Sequence, residues 1–447
     1  MADPVRPAGS TLDRWLRRLV LVERHEVRAV LWAFVYFFSV LCGYYVVRPM
    51  RDAMGIAAGV EKLHWLFTAT FLAMLAVVPL FGWVTSRFPR RRFLPYVYAF
   101  FALNLLVFWW LLRGAEPDVA VARVFYVWTS VFNLFVVSVF WSFMADLFTT
   151  VQAGRLFGFV AAGGTAGALA GPAVAAVLVR PFGQGPLLLV SAALLVVAIV
   201  CIGRLGAWHD AQAGEGGAGG APAARPLGGG ILSAISLVVR SPYLLGIAAF
   251  VLLFTSASTI LYFQQAEIVR DAFATDEERT AVFAGVDLAV NALTLATQVL
   301  LTGRLVRALG VGFTLGLVPG LLGIGFLALG IAPVLPVILA VQIIRRAGEY
   351  AITRPAREML YVVLGREEKY KAKNFLDTAV YRGGDALSAW AYAGMRALGL
   401  GLGQIALAAV PVVALWTFLA VRLGRRQEIL AARHVEGASS WTPGTAR

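Results

Sequence analysis

The sequence has little charge and very little cysteine or histidine. Charged residues make up 14% of its 447 positions and hydrophobic residues 60%, whereas soluble domains carry about a quarter charged residues. The two cysteines, Cys42 and Cys201, lie in apolar stretches and predict no disulfide framework. The four histidines are too dispersed for metal-ligand spacing: His25, His64, His209 and His434. These shortages exclude a soluble enzyme built around a metal or disulfides.

A phosphate-binding loop is also missing. The glycine-rich stretch at residues 206–230 lacks the pattern G-x-x-x-x-G-K-[ST], whose backbone holds nucleotide phosphates in ATPases. The sequence therefore predicts no enzymatic activity, no metal and no resident cofactor.

Long apolar runs dominate the rest of the chain. A membrane-spanning helix needs roughly 20 apolar residues, and runs of about that length recur about twelve times. This pattern predicts an all-α polytopic membrane protein with about twelve transmembrane helices. The predicted spans are residues 29–47, 63–84, 93–112, 122–145, 156–179, 186–203, 242–265, 281–302, 313–332, 333–354, 378–398 and 403–421.

The net charge of +14 is explained by loops on one side of the predicted bilayer. Basic residues are concentrated before the first span, at 87–92, at 366–373 and after 422, whereas the opposite loops are neutral or acidic. By the positive-inside rule both termini are cytoplasmic. We predict a multi-pass monomer in a bacterial inner membrane. Its surroundings are the lipid bilayer, and it is not expected to bind nucleic acid.

A Gly- and Ala-rich segment divides the chain into two halves of six predicted spans. The tripeptide Arg-Asp-Ala ends the first span of each half, at 51–53 and 270–272, and indicates an internal repeat. The predicted organisation is a cytoplasmic segment, a six-helix bundle, a flexible cytoplasmic linker, a second six-helix bundle and a cytoplasmic tail, at residues 1–27, 28–205, 206–230, 231–424 and 425–447.

Charged residues occur within the tenth predicted span. Its apolar run, from Pro333 to Ile344, is too short to cross a bilayer. Arg345, Arg346 and Glu349 therefore lie within the depth of the membrane, where each charge costs about 3 kcal/mol on insertion scales. Such residues commonly line a substrate or ion path, and the alternative is an internal salt bridge that fixes helix packing.

Polar side chains share faces of three other spans. In the eighth span, Asp287, Asn291, Thr294 and Gln298 recur at helical spacing, so that one face avoids lipid. The seventh span carries polar residues from Thr255 to Glu267, and the eleventh carries Tyr381, Arg382, Asp385 and Ser388. Uncharged members have a structural alternative, because Ser, Thr and Asn often bond their own helix.

Two motifs resemble the major facilitator superfamily. GWVTSRFPRR at 82–91 is similar to its G-x-x-x-D-R-x-G-R-R loop, with Ser86 in place of Asp and Pro89 in place of Gly. Gly167-x-x-x-Gly171-Pro172 is similar to the small-residue motif of its antiporters, although plain close helix packing gives the same spacing. The resemblance implies two bundles that rock around a central site.

A more specific resemblance lies near the tenth and eleventh spans. YAITRPAREMLYVVL at 350–364, then KAKNFLD at 371–377 and Arg382, is similar to YSLFDPTKEMAYIPL, KGKAAID and a later Arg in the ATP/ADP translocase family of intracellular bacteria and plastids. FWSFMAD at 140–146 and RPMRD at 48–52 resemble that family's LFWGFAN and LRDLKD. In these motifs Arg51 and Arg357 stand where the family has Lys.

The resemblance implies a nucleotide exchanger in which cationic side chains bind phosphate. Arg354 in place of Asp and Asp385 in place of Lys leave the cargo and the coupling ion open. The family resemblance and the polar helix faces together indicate ten candidate substrate-binding residues: Arg48, Arg51, Asn133, Asn291, Arg345, Arg346, Tyr350, Arg357, Lys373 and Arg382. The candidate coupling residues are Glu267, Asp287, Glu349 and Asp385.

The leading hypothesis is a secondary transporter that moves ATP/ADP or another phosphorylated organic anion by alternating access, with residues from both halves converging on one ligand. Two alternatives remain open. One is a proton-coupled carrier or exporter of a different small organic solute. The other is a non-transporting membrane scaffold that keeps the fold.

Overall fold

The computed structural model describes residues 22–23, 25–87, 90–113, 118–213 and 231–439. Within these ranges the regular structure is helical and contains no strand. The predicted all-α polytopic fold class is confirmed.

The first half of the chain forms six long helices. A single 3₁₀ turn, Val60–Lys62, separates the first from the second. The helices are α1 Val27–Ala57, α2 Leu63–Arg87, α3 Arg90–Leu111, α4 Val119–Leu147, α5 Thr150–Phe182 and α6 Gly185–Ala213.

The second half is less regular, because π-helical turns interrupt three of its helical segments. These turns are Gln298–Thr302, Glu349–Thr353 and Leu376–Val380. The helices are α7 Ile231–Arg240, α8 Pro242–Ala272, α9 Asp276–Thr297, α10 Gly303–Ile331, α11 Leu335–Gly348, α12 Arg354–Leu360, α13 Arg366–Phe375, α14 Tyr381–Ala397 and α15 Leu402–Ser439.

Nine segments of the described chain are long and apolar enough to cross a membrane. One of them, Asp276–Ile331, holds two predicted spans: its 56 residues would measure about 84 Å at the rise of an α-helix, far more than a bilayer. The tenth and eleventh spans are too charged to be found by composition, yet both are helical. Each of the twelve predicted spans therefore lies on a helical segment.

A glycine in the left-handed region separates the two spans within Asp276–Ile331. Gly310 has φ of 71°, a conformation that side chains with a Cβ rarely adopt. The backbone N–H of Val311, directly after the break, donates a 2.7 Å hydrogen bond to the Glu428 carboxylate of α15. This contact caps the second part of α10, because a helix N-terminus leaves its first N–H groups without partners.

Helices extend beyond several predicted boundaries. The helical segment that holds the tenth predicted span continues through a π turn to Leu360, past the predicted end at 354. Residues 206–213 of the predicted linker and residues 425–439 of the predicted tail are helical. The short helices α7 and α13 were not predicted, since neither is long enough for a span. Other parts of the predicted termini, linker and basic loop lie outside the described residues, at 1–21, 24, 88–89, 214–230 and 440–447.

The contacts divide the chain into two compact units. Unit 1 comprises Met1–Met54, Ala76–Pro222 and Asp276–Leu288, and unit 2 comprises Gly55–Leu75, Ala223–Thr275 and Ala289–Arg447. Residues 276–288 therefore pack with unit 1, and residues 55–75 pack with unit 2. The predicted bundles, at 28–205 and 231–424, follow the order of the spans along the chain and not the contacts between them. This division stays a prediction.

Glycines of α5 bring this helix close to α1 within unit 1. A Cβ added at Gly167 would overlap the carbonyl oxygen of Phe38, and one at Gly171 would lie 2.6 Å from the Cβ of Tyr45. Small residues allow such close approach of membrane helices. The Gly167–Gly171 motif therefore serves close packing, as the structural alternative predicted.

Candidate functional site

In unit 1, Arg48 of α1 pairs with Asp287 of α9. The Arg48 Nη1 atom donates a 2.7 Å hydrogen bond to Asp287 Oδ1. The Asp287 side chain is 1% exposed and that of Arg48 is 15% exposed. Taking a carboxylate out of water is costly unless a cation and hydrogen bonds accompany it. The geometry favours the role of Asp287 as holder of a cationic partner.

Arg51 lies one helical turn further along α1. Its Nη1 atom lies 2.9 Å from Asp52 Oδ1, and its guanidinium carbon lies 4.0 Å from the centre of the Tyr126 ring of α4. This is a cation–π distance. The predicted Asn133 is half-buried on α4.

The repeated Arg-Asp-Ala tripeptide makes a similar local ion pair in each half of the sequence. In the second copy, Arg270 Nε lies 2.8 Å from Asp271 Oδ1, and Arg270 Nη1 lies 2.8 Å from Glu61. Asp271 is 63% exposed, whereas Asp52 is 6% exposed. The two copies therefore share the contact between neighbouring Arg and Asp side chains and differ in burial.

In unit 2, Arg345 of α11 is buried among polar groups. Its Nε donates to Gln342 Oε1 and its Nη1 donates to Ser258 Oγ of α8, both at 2.9 Å. The Glu349 carboxylate lies 3.5 Å from Nη1. Gln342 in turn donates to Gln265 of α8 at 2.8 Å. Arg345 is thus held mainly by neutral groups.

Other predicted residues of unit 2 surround this network. Arg346 is buried at 7% exposure. The Tyr350 carbonyl accepts a 3.3 Å hydrogen bond from Gln298, and the Arg354 guanidinium carbon lies 5.4 Å from the Tyr350 ring centre. Asn291 is half-buried on α9.

Asp385 of α14 is held by long contacts. Thr259 of α8 donates a hydrogen bond to Asp385 Oδ1 at 3.4 Å, and Arg382 Nη1 lies 3.5 Å from Oδ2. Hydrogen bonds to carboxylates are usually shorter, near 2.8 Å. Because both contacts are long, they hold the Asp385 carboxylate weakly, and it can be protonated or move at little cost.

Glu267 of α8 has tighter partners. The Tyr392 hydroxyl donates a 2.9 Å hydrogen bond to its Oε1, and Arg396 Nη2 lies 3.0 Å from Oε2. The carboxylate is 8% exposed. This arrangement favours a packing role between α8 and α14, and the coupling role of Glu267 stays a prediction.

Two ion pairs connect α12 to the segment that follows it. Arg357 Nη2 lies 3.2 Å from Asp377, and Lys373 Nζ lies 2.6 Å from Glu358. Burial, and then the Asp377 charge, raise the pKa of the nearby Tyr361 hydroxyl well above its ordinary value. Arg357 and Lys373, both predicted to bind substrate, therefore already have carboxylate partners.

A small pocket opens between α8 and the segment 349–357. It is lined by Phe250, Phe254, Glu349, Thr353, Arg354 and Arg357. Sequence reasoning missed Thr353 and Gln342 and treated Arg354 only as a departure from a motif. The available signal for Gln342 was its position one turn before Arg345 on the same helix face.

The candidate residues fall into both units. Arg48, Arg51, Asn133 and Asp287 belong to unit 1, and the others belong to unit 2: Glu267, Asn291, Arg345, Arg346, Glu349, Tyr350, Arg357, Lys373, Arg382 and Asp385. Within each unit the structure pairs predicted cations with predicted acids, namely Arg48 with Asp287, Arg345 with Glu349, and Arg382 with Asp385.

One group of potential metal ligands occurs in the described part of the chain, at the start of α1. Ligand atoms of Glu23, His25 and Glu26 lie within 4.8 Å of one another. Arg155 of α5, however, contacts both carboxylates, at 3.4 Å from Glu23 and 3.0 Å from Glu26. A guanidinium in this position opposes a metal cation, so the group connects α1 to α5.

Comparison with known proteins agrees with this fold. Solved structures similar to the chain include a bacterial homologue of the iron transporter ferroportin (14% identity, TM-score 0.62, 90% of this chain and 98% of that one). A mutant of the nucleoside transporter NupG (11%, 0.61, 90% and 99%) and a bacterial homologue of the human lysosomal transporter Spinster (14%, 0.55, 95% and 100%) are also similar. At such identities the likeness concerns the fold alone. A search of curated protein sequences finds no match.

The family comparison is decisive for classification. The model of the Major Facilitator Superfamily matches residues 29–355, which is more than half of the chain. The resemblance to the ATP/ADP translocase family is not supported by a match of this kind. The chain belongs to the Major Facilitator Superfamily and is a secondary transporter of that type.

Proposed function

We propose that this chain transports a phosphorylated organic anion, with nucleotides as the substrate class, by alternating access. The observation that carries the proposal is an excess of positive charge within the membrane. Segments 335–360 and 376–397, together with Glu267 of α8, which contacts Arg396, carry six arginines and five carboxylates. Intramembrane charge is costly unless it is neutralised, and an anionic cargo supplies the missing negative charge.

Arg345 is the arginine best suited to bind such a cargo. Two of its hydrogen bonds go to neutral groups, the Gln342 amide and the Ser258 hydroxyl. Its one carboxylate contact, with Glu349, is at 3.5 Å. Phosphate oxygens form shorter and stronger bonds with guanidinium than neutral acceptors do. A phosphoryl group can therefore replace these partners with a net gain.

Aromatic rings next to the arginines support an organic portion in the ligand. Tyr350 lies beside Arg354, and Tyr381 lies beside Arg382, with 5.5 Å between guanidinium carbon and ring centre. The Phe254 ring is 5.8 Å from that of Tyr381. Flat rings of this kind stack on nucleobases.

The test is ligand-dependent thermal stability of the purified protein. The panel contains ATP, ADP, AMP, sugar phosphates, and the corresponding nucleosides and sugars. A ligand at 100 times its dissociation constant stabilises the folded state by about 2.7 kcal/mol. We expect phosphorylated compounds to raise the melting temperature and their unphosphorylated counterparts to leave it unchanged. Equal stabilisation by a nucleoside and its phosphate would contradict the proposal.

A second candidate is a proton-coupled carrier of another small organic solute. It is favoured by Asp385, a membrane carboxylate with contacts of 3.4 and 3.5 Å to Thr259 and Arg382. In this case an unphosphorylated solute would stabilise the protein, and its uptake would follow an imposed pH gradient. Asp385→Asn would abolish that dependence while leaving solute exchange intact.

A further inference from the structure

Gln342 lies at the centre of the polar network that holds Arg345 between α11 and α8. Its side chain accepts a hydrogen bond from Arg345 and donates one to Gln265. Ser258 and Gln265 lie seven residues apart on α8, two helical turns, so they share the face that meets α11. Gln342 is 1% exposed and Gln265 is 3% exposed. The centre of the network is therefore a fully buried amide.

The direction of the Gln342 amide follows from the chemistry of Arg345. A guanidinium only donates hydrogen bonds, so the Gln342 atom beside Arg345 Nε must be the carbonyl oxygen. The Gln342 NH₂ group then points to Gln265 and needs an oxygen there. This leaves the NH₂ group of Gln265 on the far side, where it is buried and has no acceptor in the described part of the chain. The network thus ends in an unused donor.

An acid at position 342 would fit this network at least as well as the amide does. Glutamate has the shape of glutamine, and its carboxylate would accept the bond from Arg345. Turning the Gln265 amide would bring its unused NH₂ group onto the same carboxylate. Proteins tolerate a buried ion pair when further hydrogen bonds satisfy the carboxylate. Packing alone therefore does not explain why the residue is neutral.

The neutral residue matters for the charge of Arg345. In the described structure one carboxylate contacts this guanidinium, that of Glu349 at 3.5 Å. Asp385 acts on it from beyond contact distance, and the neighbouring Arg346 adds a second positive charge. A carboxylate in place of the Gln342 amide would neutralise Arg345 directly, because attraction between charges is strong in a buried site. An anionic cargo would then have to break an ion pair.

We propose that Gln342 is a specificity-determining residue, whose neutral amide holds Arg345 in place and leaves its charge available to an anionic cargo. The inference rests on the proposed function, since it concerns the same arginine. A phosphoryl group would take Arg345 over from the Gln342 amide and the Ser258 hydroxyl, which are neutral and therefore weaker partners. The Gln342 amide would keep its bond to Gln265. The site thereby prefers a charged cargo to an uncharged one.

The test is equilibrium binding of radiolabelled ADP to the full-length protein in detergent, for the variants Gln342→Glu and Gln342→Leu. We expect Gln342→Glu to weaken binding about tenfold or more, the effect of losing one hydrogen bond to a charged group. Gln342→Leu adds no competing charge and should weaken binding much less. A purely structural role predicts the opposite order, because Leu breaks both bonds of the amide and Glu can keep both. The melting temperatures should follow that structural order, with the larger loss in Gln342→Leu.

Two control variants separate this effect from general ones. Gln184→Leu removes an amide of unit 1 that also makes two hydrogen bonds, to Thr280 and to the Asp276 carbonyl. Arg307→Gln lowers the net charge by as much as Gln342→Glu does, at an exposed residue whose Nε bonds the Gly303 carbonyl of its own helix. Both variants should bind ADP as the wild type does.

The outcomes distinguish this inference from the proposed function. Wild-type ADP affinity in Gln342→Glu, or a smaller loss than in Gln342→Leu, would overturn the inference and leave the proposed cargo standing. If the wild-type protein binds neither ADP nor any other phosphorylated compound, the proposed cargo and the inference are both refuted.

Discussion

The guanidinium of Arg48 lies 2.7 Å from the carboxylate of Asp287, although 239 positions separate the two residues in the chain. This pair joins α1, the first span of one sequence half, to α9, which holds the second span of the other, within one compact unit. Because Asp287 is almost fully buried, its charge depends on the cation beside it.

Asp287→Asn is expected to lower the melting temperature of the purified protein. A hydrogen bond to a charged group contributes about 1.5–3 kcal/mol, and the substitution weakens such a bond at a buried site. The matched control is Asp271→Asn, since Asp271 pairs with Arg270 while being 63% exposed. Exposed pairs contribute roughly 0–1 kcal/mol, so the control should change the melting temperature much less.

The Arg48–Asp287 pair can also be tested by a double-mutant cycle. Removing both charges, with Arg48→Met and Asp287→Leu, should cost less than the sum of the single changes, because neither charge is then left without the other. If the stability losses of the two single variants add up to that of the double variant, Asp287 does not hold Arg48. If Asp287→Asn also transports normally with unchanged pH dependence, Asp287 takes no part in coupling.

The α1–α5 contact gives a prediction with an internal control. Gly167→Ala should destabilise the protein, because the new Cβ would overlap the Phe38 carbonyl oxygen of α1. Gly158→Ala, on the same helix, meets nothing within 4 Å and should be neutral or stabilising, since Ala is favoured over Gly in helices by about 1 kcal/mol. The measurement is the melting temperature of both variants. Equal effects would show that the glycine contact is unimportant.

The charge distribution predicts a cytoplasmic linker between the halves. On a background lacking Cys42 and Cys201, a cysteine at Gly219 should resist an impermeant thiol reagent in intact cells, and should react after permeabilisation. A cysteine at Ala274, which is exposed between α8 and α9, should react from outside. External labelling at 219 would refute the predicted topology.

The fold could be predicted from sequence because apolar length decides where a helix crosses a bilayer. All twelve predicted spans lie on helical segments, including the tenth, where charges interrupt the apolar run. The ends of that span could not be predicted. The π turn at Glu349–Thr353 and the continuation to Leu360 depend on tertiary contacts, for example the bond from Thr302 to the Ala351 carbonyl.

The candidate site was predictable only in part, for a similar reason. Intramembrane charge identifies Arg345, Glu349 and Asp287 without knowledge of the fold. The partner of each charge is a matter of tertiary packing, as with Arg48 and Asp287. Thr353 gives no signal in sequence at all, because a single threonine in a membrane helix usually bonds its own backbone.

The most direct test of the proposed function is exchange of radiolabelled ADP by proteoliposomes preloaded with unlabelled ADP. We expect the wild-type protein to accumulate label. Arg345→Lys should exchange more slowly, since it keeps the charge and loses the guanidinium fork, and Arg345→Gln should be inactive while Arg307→Gln behaves as wild type. Normal ADP affinity in Arg345→Gln would contradict the role of Arg345 in binding the cargo. Exchange of a nucleoside with no exchange of any phosphorylated compound would contradict the assignment of a phosphorylated anion as cargo.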